Sequence, residues 1–161
     1  MIKPVLNTYA FNLTYAKMLV ADLDAQQMTT QPHPKMNHPA WVLGHLATSS
    51  EFGCSMLGLE AKLPADWSEK FGNGSTPVPG GDYPGKDTLL STLEETHQRL
   101  TIALEAADAA TLGSQMPNEE FRRVMPTLGD GLVFLATGHE CTHLGQLSAW
   151  RRAVGLGSVF G

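Results

Sequence analysis

Two histidines four residues apart, His139 and His143, constrain this chain more than any other feature. The segment that contains them, residues 128–154, has apolar residues at helical spacing and is followed by Gly155, so it is predicted to be a helix. At about 100° per residue, the two imidazoles lie one turn apart on the same face and can reach one ion. Five other residues share this face: Leu132, Leu135, Ala136, Gln146 and Trp150. Because a helix buries such a face and a buried imidazole needs a partner, the pattern predicts a shared metal ion.

Three further helices are predicted from apolar residues at helical spacing. They cover residues 4–30, residues 37–57 with Asn37 as the cap, and residues 87–107 with Asp87 as the cap. Since no run of residues alternates as a strand would, the sequence predicts an all-α protein, a four-helix bundle formed by one domain over residues 1–161.

Two irregular connections rich in proline and glycine separate the later helices, at residues 58–85 and 111–130. Long connections of this kind are uncommon in compact domains and are often functional. The first is predicted to be a crossover that joins two parallel helices, because such a join cannot use a tight turn. A lid over a site is the alternative interpretation.

Composition excludes several classes of protein. A net charge of −5 with only 11 lysines and arginines disfavours nucleic-acid binding. The basic pair Arg151-Arg152 is interpreted as favourable charge at a helix C-terminus. No apolar run approaches the roughly 20 residues of a membrane span, and the N-terminus lacks the layout of a signal peptide. With only Cys54 and Cys141, no disulfide framework is expected, which favours the cytoplasm.

A third histidine, His45, strengthens the metal hypothesis. It interrupts the apolar stripe of the second helix, which also carries Trp41, Thr48 and Phe52. Helical bundles build metal sites from inward-facing side chains on neighbouring helices, and three imidazoles with an open position are a known catalytic arrangement. The alternative is three unrelated core histidines, each with a local hydrogen-bond partner.

The run His139-Glu140-x-x-His143 also matches the zincin metalloprotease motif, in which the glutamate is the general base. This interpretation is disfavoured, because Gln146 stands where metzincins have glycine and no histidine, aspartate or glutamate follows His143. Glu140 lies roughly 80° from the histidine face, so it is expected at a helix–helix edge.

Two motifs in this order, Trp41-Val-Leu-Gly-His45-Leu and His139-Glu-Cys-Thr-His143-Leu-Gly-Gln146-Leu, resemble the DinB/YfiT-like metalloenzymes. The resemblance covers nearly the whole chain. It implies a bundle in up-down-down-up topology, a divalent metal held by His45, His139 and His143, and a homodimer. Characterised relatives include transferases and isomerases that use low-molecular-weight thiols such as bacillithiol or mycothiol. The sequence departs from the family pattern at Thr142, often histidine, and at Leu144, often arginine.

Other residues are candidates for the pocket or for contacts with the ligands. Gln146 lies close to the histidine face and is expected to orient a ligand or a bound water, or to serve in helix packing. Trp41 and Trp150 are expected to wall the pocket or to pack in the core. His97 is predicted to point inward from the third helix, where it would be a core residue, a substrate-facing group or a fourth metal ligand. The remaining histidines and cysteines are not expected to bind metal: His33 and His38, predicted to face solvent, and Cys54 and Cys141.

The sequence thus predicts a metal-dependent enzyme acting on a small molecule, with zinc or nickel first and iron or manganese as alternatives. A thiol-dependent S-transferase or isomerase is the specific form, with a low-molecular-weight thiol as cosubstrate. The alternatives are a metal-binding or stress-response domain without turnover and a bundle whose histidine cluster is incidental.

Overall fold

The computed structural model describes residues 2–160, and its regular elements in that range are helical. A single bridge between Gln115 and Thr127 is the one β-type pairing among these residues. The helices are α1 (Lys3–Val20), α2 (Pro39–Met56), α3 (Trp67–Phe71), α4 (Lys86–Ala106), α5 (Ala109–Gly113), α6 (Glu119–Arg122), α7 (Leu128–Phe134) and α8 (Glu140–Ala153), with a 3-10 turn at Gln27–Thr29. The all-α prediction is confirmed.

Helix α2 lies at the centre of the molecule, and its first nine residues, Pro39 to Ala47, are buried. It packs chiefly against α4 and also contacts α3 and α8. Apolar side chains of these helices form the larger of two clusters, which includes Leu43, Leu93, Leu147 and Trp150. The smaller cluster joins α1, α4 and α7 through Tyr9, Leu100, Leu104 and Leu132. Burial of these surfaces provides the main driving force for folding.

Helix α1 ends at Val20, ten residues earlier than the predicted end near Thr30. Long cationic side chains from elsewhere bind carbonyls at its end: Arg151 Nη1 donates to Leu19 O at 2.9 Å, and Lys86 Nζ donates to Val20 O at 3.4 Å and, just beyond the helix, to Leu23 O at 2.6 Å. Arg151 is buried and also binds the carboxylate of Asp22. Arg151 and Arg152 both lie in the last turn of α8, as predicted, and Arg151 in addition binds the end of α1, whereas Arg152 is exposed.

The starts of α2 and α4 differ from the predicted caps. His38, not Asn37, caps α2: its Nδ1 accepts a hydrogen bond from Trp41 N at 3.1 Å. The prediction that His38 faces solvent is wrong, because the side chain is fully buried, whereas His33 is exposed as expected. Helix α4 begins after Gly85 without a side-chain cap, so Asp87 lies in its first turn, where its charge favours the helix dipole.

The fourth long helix was predicted as continuous over residues 128–154, but a π-helical turn at Leu135–His139 joins α7 to α8. Such turns leave carbonyls without regular partners and often occur at functional sites. Here side chains fill that need: Asn12 Nδ2 donates to Ala136 O at 3.4 Å, and Thr142 Oγ1 donates to Gly138 O at 2.8 Å. The ordered interruption ends at His139, one of the predicted metal ligands.

The connection at residues 58–85 contains the short helix α3, which packs Trp67 and Phe71 into the core. Close approach of Phe71 to α2 requires glycine at position 44, because a Cβ there would lie 2.3 Å from Phe71 Cδ1. Within residues 2–160, none of the helices combines the length and apolar character needed to cross a membrane.

Candidate metal centre

The imidazoles of His45, His139 and His143 converge inside the helical assembly. One ring nitrogen from each histidine lies within 4.8 Å of the other two, a spacing at which the three could hold a metal ion. Nε2 of His45 lies 3.1 Å from Nε2 of His139. The structure therefore brings together the three residues that the sequence predicted as ligands.

Each histidine comes from a different local structure. His45 lies in the buried half of α2, His139 is the last residue of the π turn, and His143 lies in the first turn of α8. Their side chains meet because α2 contacts both the π turn and α8. The site thus depends on the packing between α2 and the fourth long helix.

His45 is fixed by a backbone carbonyl and an aromatic ring. Its Nδ1 lies 2.6 Å from Phe71 O, so this nitrogen carries the proton and donates it to the carbonyl. The indole of Trp41 stacks on the imidazole at a centroid distance of 4.6 Å and an interplanar angle of 9°. These contacts set the tautomer, and Nε2 is left with a lone pair that faces the other histidines.

His143 is oriented by Gln146, three residues along α8. Nδ1 of His143 lies 3.0 Å from Gln146 Oε1, and the same oxygen accepts a hydrogen bond from Asn37 Nδ2 at 2.9 Å. His143 therefore carries its proton on Nδ1, which leaves Nε2 as the available donor atom. This contact is of the kind expected for Gln146 as a residue that orients a ligand.

Electrostatics keep the three rings neutral. Burial, together with a smaller effect of the neighbouring imidazoles, lowers the pKa of His139 to about 3 and that of His143 to about 4. Burial also lowers the pKa of His45. At neutral pH the three side chains thus offer lone pairs, the form that binds a metal.

The donor set fits a divalent ion. If His45 and His139 both present unprotonated Nε2 atoms 3.1 Å apart, their lone pairs repel unless a cation or a proton lies between them. Nδ1 of His139 is buried and has no hydrogen-bond partner among the described residues. Three imidazole nitrogens suit zinc, nickel, copper or iron better than magnesium or calcium, which prefer oxygen ligands.

A cavity of about 740 Å³ reaches His45 and His139. Its walls come from α2, from the 61–73 part of the first connection, from the 116–125 part of the second, and from α7 and the π turn. The 61–73 part of the first connection thus lines the cavity, in agreement with the interpretation of this connection as a cover over a site, whereas its role as a crossover between parallel helices stays a prediction. His143 does not line this cavity.

Two residues predicted for the pocket lie elsewhere. His97 is buried against Glu140 and stacks on Tyr9 at a centroid distance of 3.7 Å. Trp150 is part of the core and donates its indole N–H to Thr30 O at 2.7 Å. Neither lines the cavity, whereas Trp41 packs directly on His45.

Other neighbours of the motif have structural roles. Glu140 occupies a buried helix–helix contact, in agreement with its predicted place at an edge. Cys54 and Cys141 are free thiols outside the histidine cluster, as expected. The family departure at Leu144 places an apolar side chain in the core, where it is 1% exposed.

Sequence reasoning missed three contributors to the site. The carbonyl of Phe71 has no side-chain signature, and Asn37 was interpreted only as a helix cap. The cavity wall from the second connection, with Met116 and Phe121, was not predicted because an irregular segment has no periodicity that indicates its position. One signal was present, since several large apolar residues in an otherwise polar connection favour a place against other apolar groups.

Comparison with known proteins places these observations in a family. The model of the DinB superfamily matches residues 10–147. A crystal structure of a conserved protein from Enterococcus faecalis is similar to this fold, with a TM-score of 0.74, 19% sequence identity and coverage of 96% of each chain. At that identity the similarity supports the fold alone. No curated protein matches the sequence.

Proposed function

This chain belongs to the DinB superfamily, and we propose that it is a metal-dependent enzyme whose divalent ion is held by His45, His139 and His143. The single observation that carries the proposal is the convergence of three neutral imidazoles, two of which line a large cavity. The four long helices are taken, as part of the same proposal, to form an up-down-down-up bundle.

The residues around the site prepare it for binding. Phe71 O and Gln146 Oε1 accept the Nδ1 protons of His45 and His143, so both Nε2 atoms are available without a conformational change. Trp41 and the core around α2 exclude water from one side of His45. When bound, such an ion lowers the pKa of a water or thiol ligand, or polarises a substrate carbonyl.

The narrower proposal is a thiol-dependent S-transferase or isomerase that uses a low-molecular-weight thiol. It is supported by the resemblance of the two histidine motifs to those of the family. Zinc or nickel is the favoured ion, with iron or manganese as alternatives. We also propose a cytoplasmic homodimer, on the basis of the free cysteines for the compartment and of the family resemblance for the dimer.

One observation favours a metal-binding or stress-response domain without turnover. Among the described cavity-lining residues, the one carboxylate is Glu51, and protein donors already occupy it. If no other group transfers protons, chemistry at the site depends on the ion and on the substrate alone. This is the alternative against which the enzyme proposal is tested.

Metal analysis of protein purified without an affinity tag tests the site. We expect about one ion per chain in the native protein. His143→Ala should lose most of it, whereas the exposed His33→Ala should not. Metal content far below this level, unchanged in His143→Ala, would contradict the site. Turnover of generic electrophiles with added thiols, lost in His143→Ala, would favour an enzyme over a metal-binding domain.

A further inference from the structure

The cavity beside His45 and His139 has a predominantly apolar wall. Large side chains from three separate segments face it: Phe52, Met116, Phe121, Met125, Phe134 and Leu135. Several of them are exposed for their type, with Phe52 at 48%, Phe134 at 43% and Phe121 at 40%. Such a concentration of exposed aromatic rings in one concavity is typical of a binding site for an apolar ligand.

The hydroxyl groups that α2 contributes to the wall are occupied. The hydroxyls of Thr48 and Ser49 donate to the carbonyls of Gly44 and His45 at 2.9 and 2.8 Å, one turn back in α2. Ser55 donates to Phe52 O at 2.7 Å in the same way. The side of α2 that faces the cavity therefore has few free hydrogen-bond donors for a ligand.

Charged side chains in the cavity wall are also few, and the one carboxylate among the described lining residues is paired. Among the described residues, no lysine or arginine side chain lines the cavity. Glu51 accepts hydrogen bonds from the backbone N–H groups of Lys62 and Leu63, and its second oxygen pairs with Arg99. Away from the proposed ion at His45 and His139, an anionic ligand would lose its hydration without gaining a counter-charge from the wall, and a cationic ligand would find a carboxylate already paired.

From these observations we infer that the substrate is a neutral, largely apolar molecule, which lies in this cavity with its reacting group toward His45 and His139. The inference rests on the proposed function and adds the chemical class of the substrate to it. A volume of about 740 Å³ is within the range of sites for small organic ligands. The three methionines in the wall, Met56, Met116 and Met125, can adapt to substrates of different shape.

A pair of matched fluorescent probes tests the charge preference. The first is 2,6-bis(hydroxymethyl)naphthalene, and the second is naphthalene-2,6-dicarboxylate, whose two charged ends cannot both remain in solvent if the ring enters. Anisotropy titrations are made with zinc-loaded protein and with chelator-treated protein, so that carboxylate binding to zinc is recognised. We expect the diol to bind both forms and the dicarboxylate to bind the chelated form at least about tenfold more weakly.

Variants of the wall test the location. Ser49→Phe fills the cavity beside His45 and should weaken diol binding by about tenfold. Ser91→Phe is the matched control, because Ser91 is exposed on α4 and its hydroxyl makes the same kind of bond within a helix. Met125→Lys adds a cation to the wall and should raise the affinity for the dicarboxylate. Such a gain would also show that the variant is folded, even if its affinity for the diol falls.

The outcomes separate this inference from the proposed function. Binding of the diol to chain that takes up no metal would leave the apolar cavity standing and would remove the metal enzyme. Normal metal content with equal affinity for the two probes in the chelated form would overturn the neutral substrate. Diol binding unchanged by Ser49→Phe would overturn the assignment to this cavity.

Discussion

His97 and Glu140 form a buried pair, with His97 Nε2 at 2.5 Å from Glu140 Oε1, one residue after the proposed ligand His139. Burial raises the pKa of the Glu140 carboxyl, and the contact with His97 opposes that rise. The pair links α4 to the first residue of α8. A histidine that the sequence offered as a pocket residue is therefore a partner for the glutamate beside the candidate metal site.

Loss of one member of this pair should be costly. His97→Leu leaves a buried carboxylate without its partner and should lower the free energy of unfolding by about 3–5 kcal/mol. The double variant His97→Leu/Glu140→Met removes both polar groups and should be less destabilised than the single one. Urea unfolding of both variants measures this difference. Equal or greater destabilisation of the double variant would mean that the unpartnered Glu140 carboxylate is not the cause of the loss in His97→Leu.

The contact between Gly44 and Phe71 should be sensitive to one methyl group. In Gly44→Ala the new Cβ would collide with the fully buried Phe71 ring, which should destabilise the protein by about 1–3 kcal/mol. The carbonyl that holds His45 would also shift, so metal content should fall. Gly145→Ala is the matched control: nothing lies within 4 Å of its Cβ, and helix propensity should stabilise it by about 0.5–1 kcal/mol. Thermal unfolding and metal analysis of both variants check the prediction.

The hydrogen bond from His143 to Gln146 should set metal affinity without being essential to folding. Gln146 is exposed, and Gln146→Ala removes the acceptor for the Nδ1 proton of His143. We expect metal affinity to fall by about 10–100-fold, as is usual for partners of metal-bound histidines. Asn37→Ala removes only the second contact of Gln146 and should have a smaller effect. Competition with a chromophoric chelator gives both values, and equal losses would argue against this hierarchy.

Acid sensitivity of folding should depend in part on His38. Burial lowers its pKa in the folded protein from 6.5 to about 4, so the unfolded chain takes up a proton that the folded chain does not. The contribution of neutral His38 to the free energy of unfolding is complete above pH 6.5, declines as the pH falls toward 4, and then levels off. His38→Asn keeps a side-chain cap for α2 and removes this titration. Between neutral pH and pH 4, the free energy of unfolding should therefore fall by about 1–3 kcal/mol less in this variant than in the native protein.

Chemical unfolding at several pH values tests this, with the exposed His33→Asn as the control. If His38→Asn and the native protein have the same pH dependence, another group is responsible for acid sensitivity.

The main features of the site were predictable because they depend on periodicity. His45 was recognised because it interrupts an apolar stripe, and the pair in α8 because a four-residue spacing places two side chains on one face. The residues that orient these histidines were only partly predictable. Gln146 is close in sequence to His143, whereas the carbonyl that binds His45 belongs to Phe71, 26 residues away.

The errors have the same origin. Helix α1 ends where Arg151 and Lys86 reach its carbonyls, and both residues lie far along the chain. His38 is buried because the first connection packs Tyr83 against it, with ring centroids 4.8 Å apart. The π turn is compatible with a regular helix in sequence, and Asn12, 124 residues away, binds one of its carbonyls. Local pattern contains no information about such distant partners.

The π turn at Leu135–His139 also limits how the metal motif can be transplanted. A regular helix advances by about 100° per residue, so a designer who grafts His139 and His143 onto a straight helix would change their angle to everything before residue 135. The graft would keep the spacing between the two histidines but would change their orientation relative to α7. A working copy in another scaffold therefore needs the widened turn and an amide like that of Asn12 to support it, as well as the two histidines.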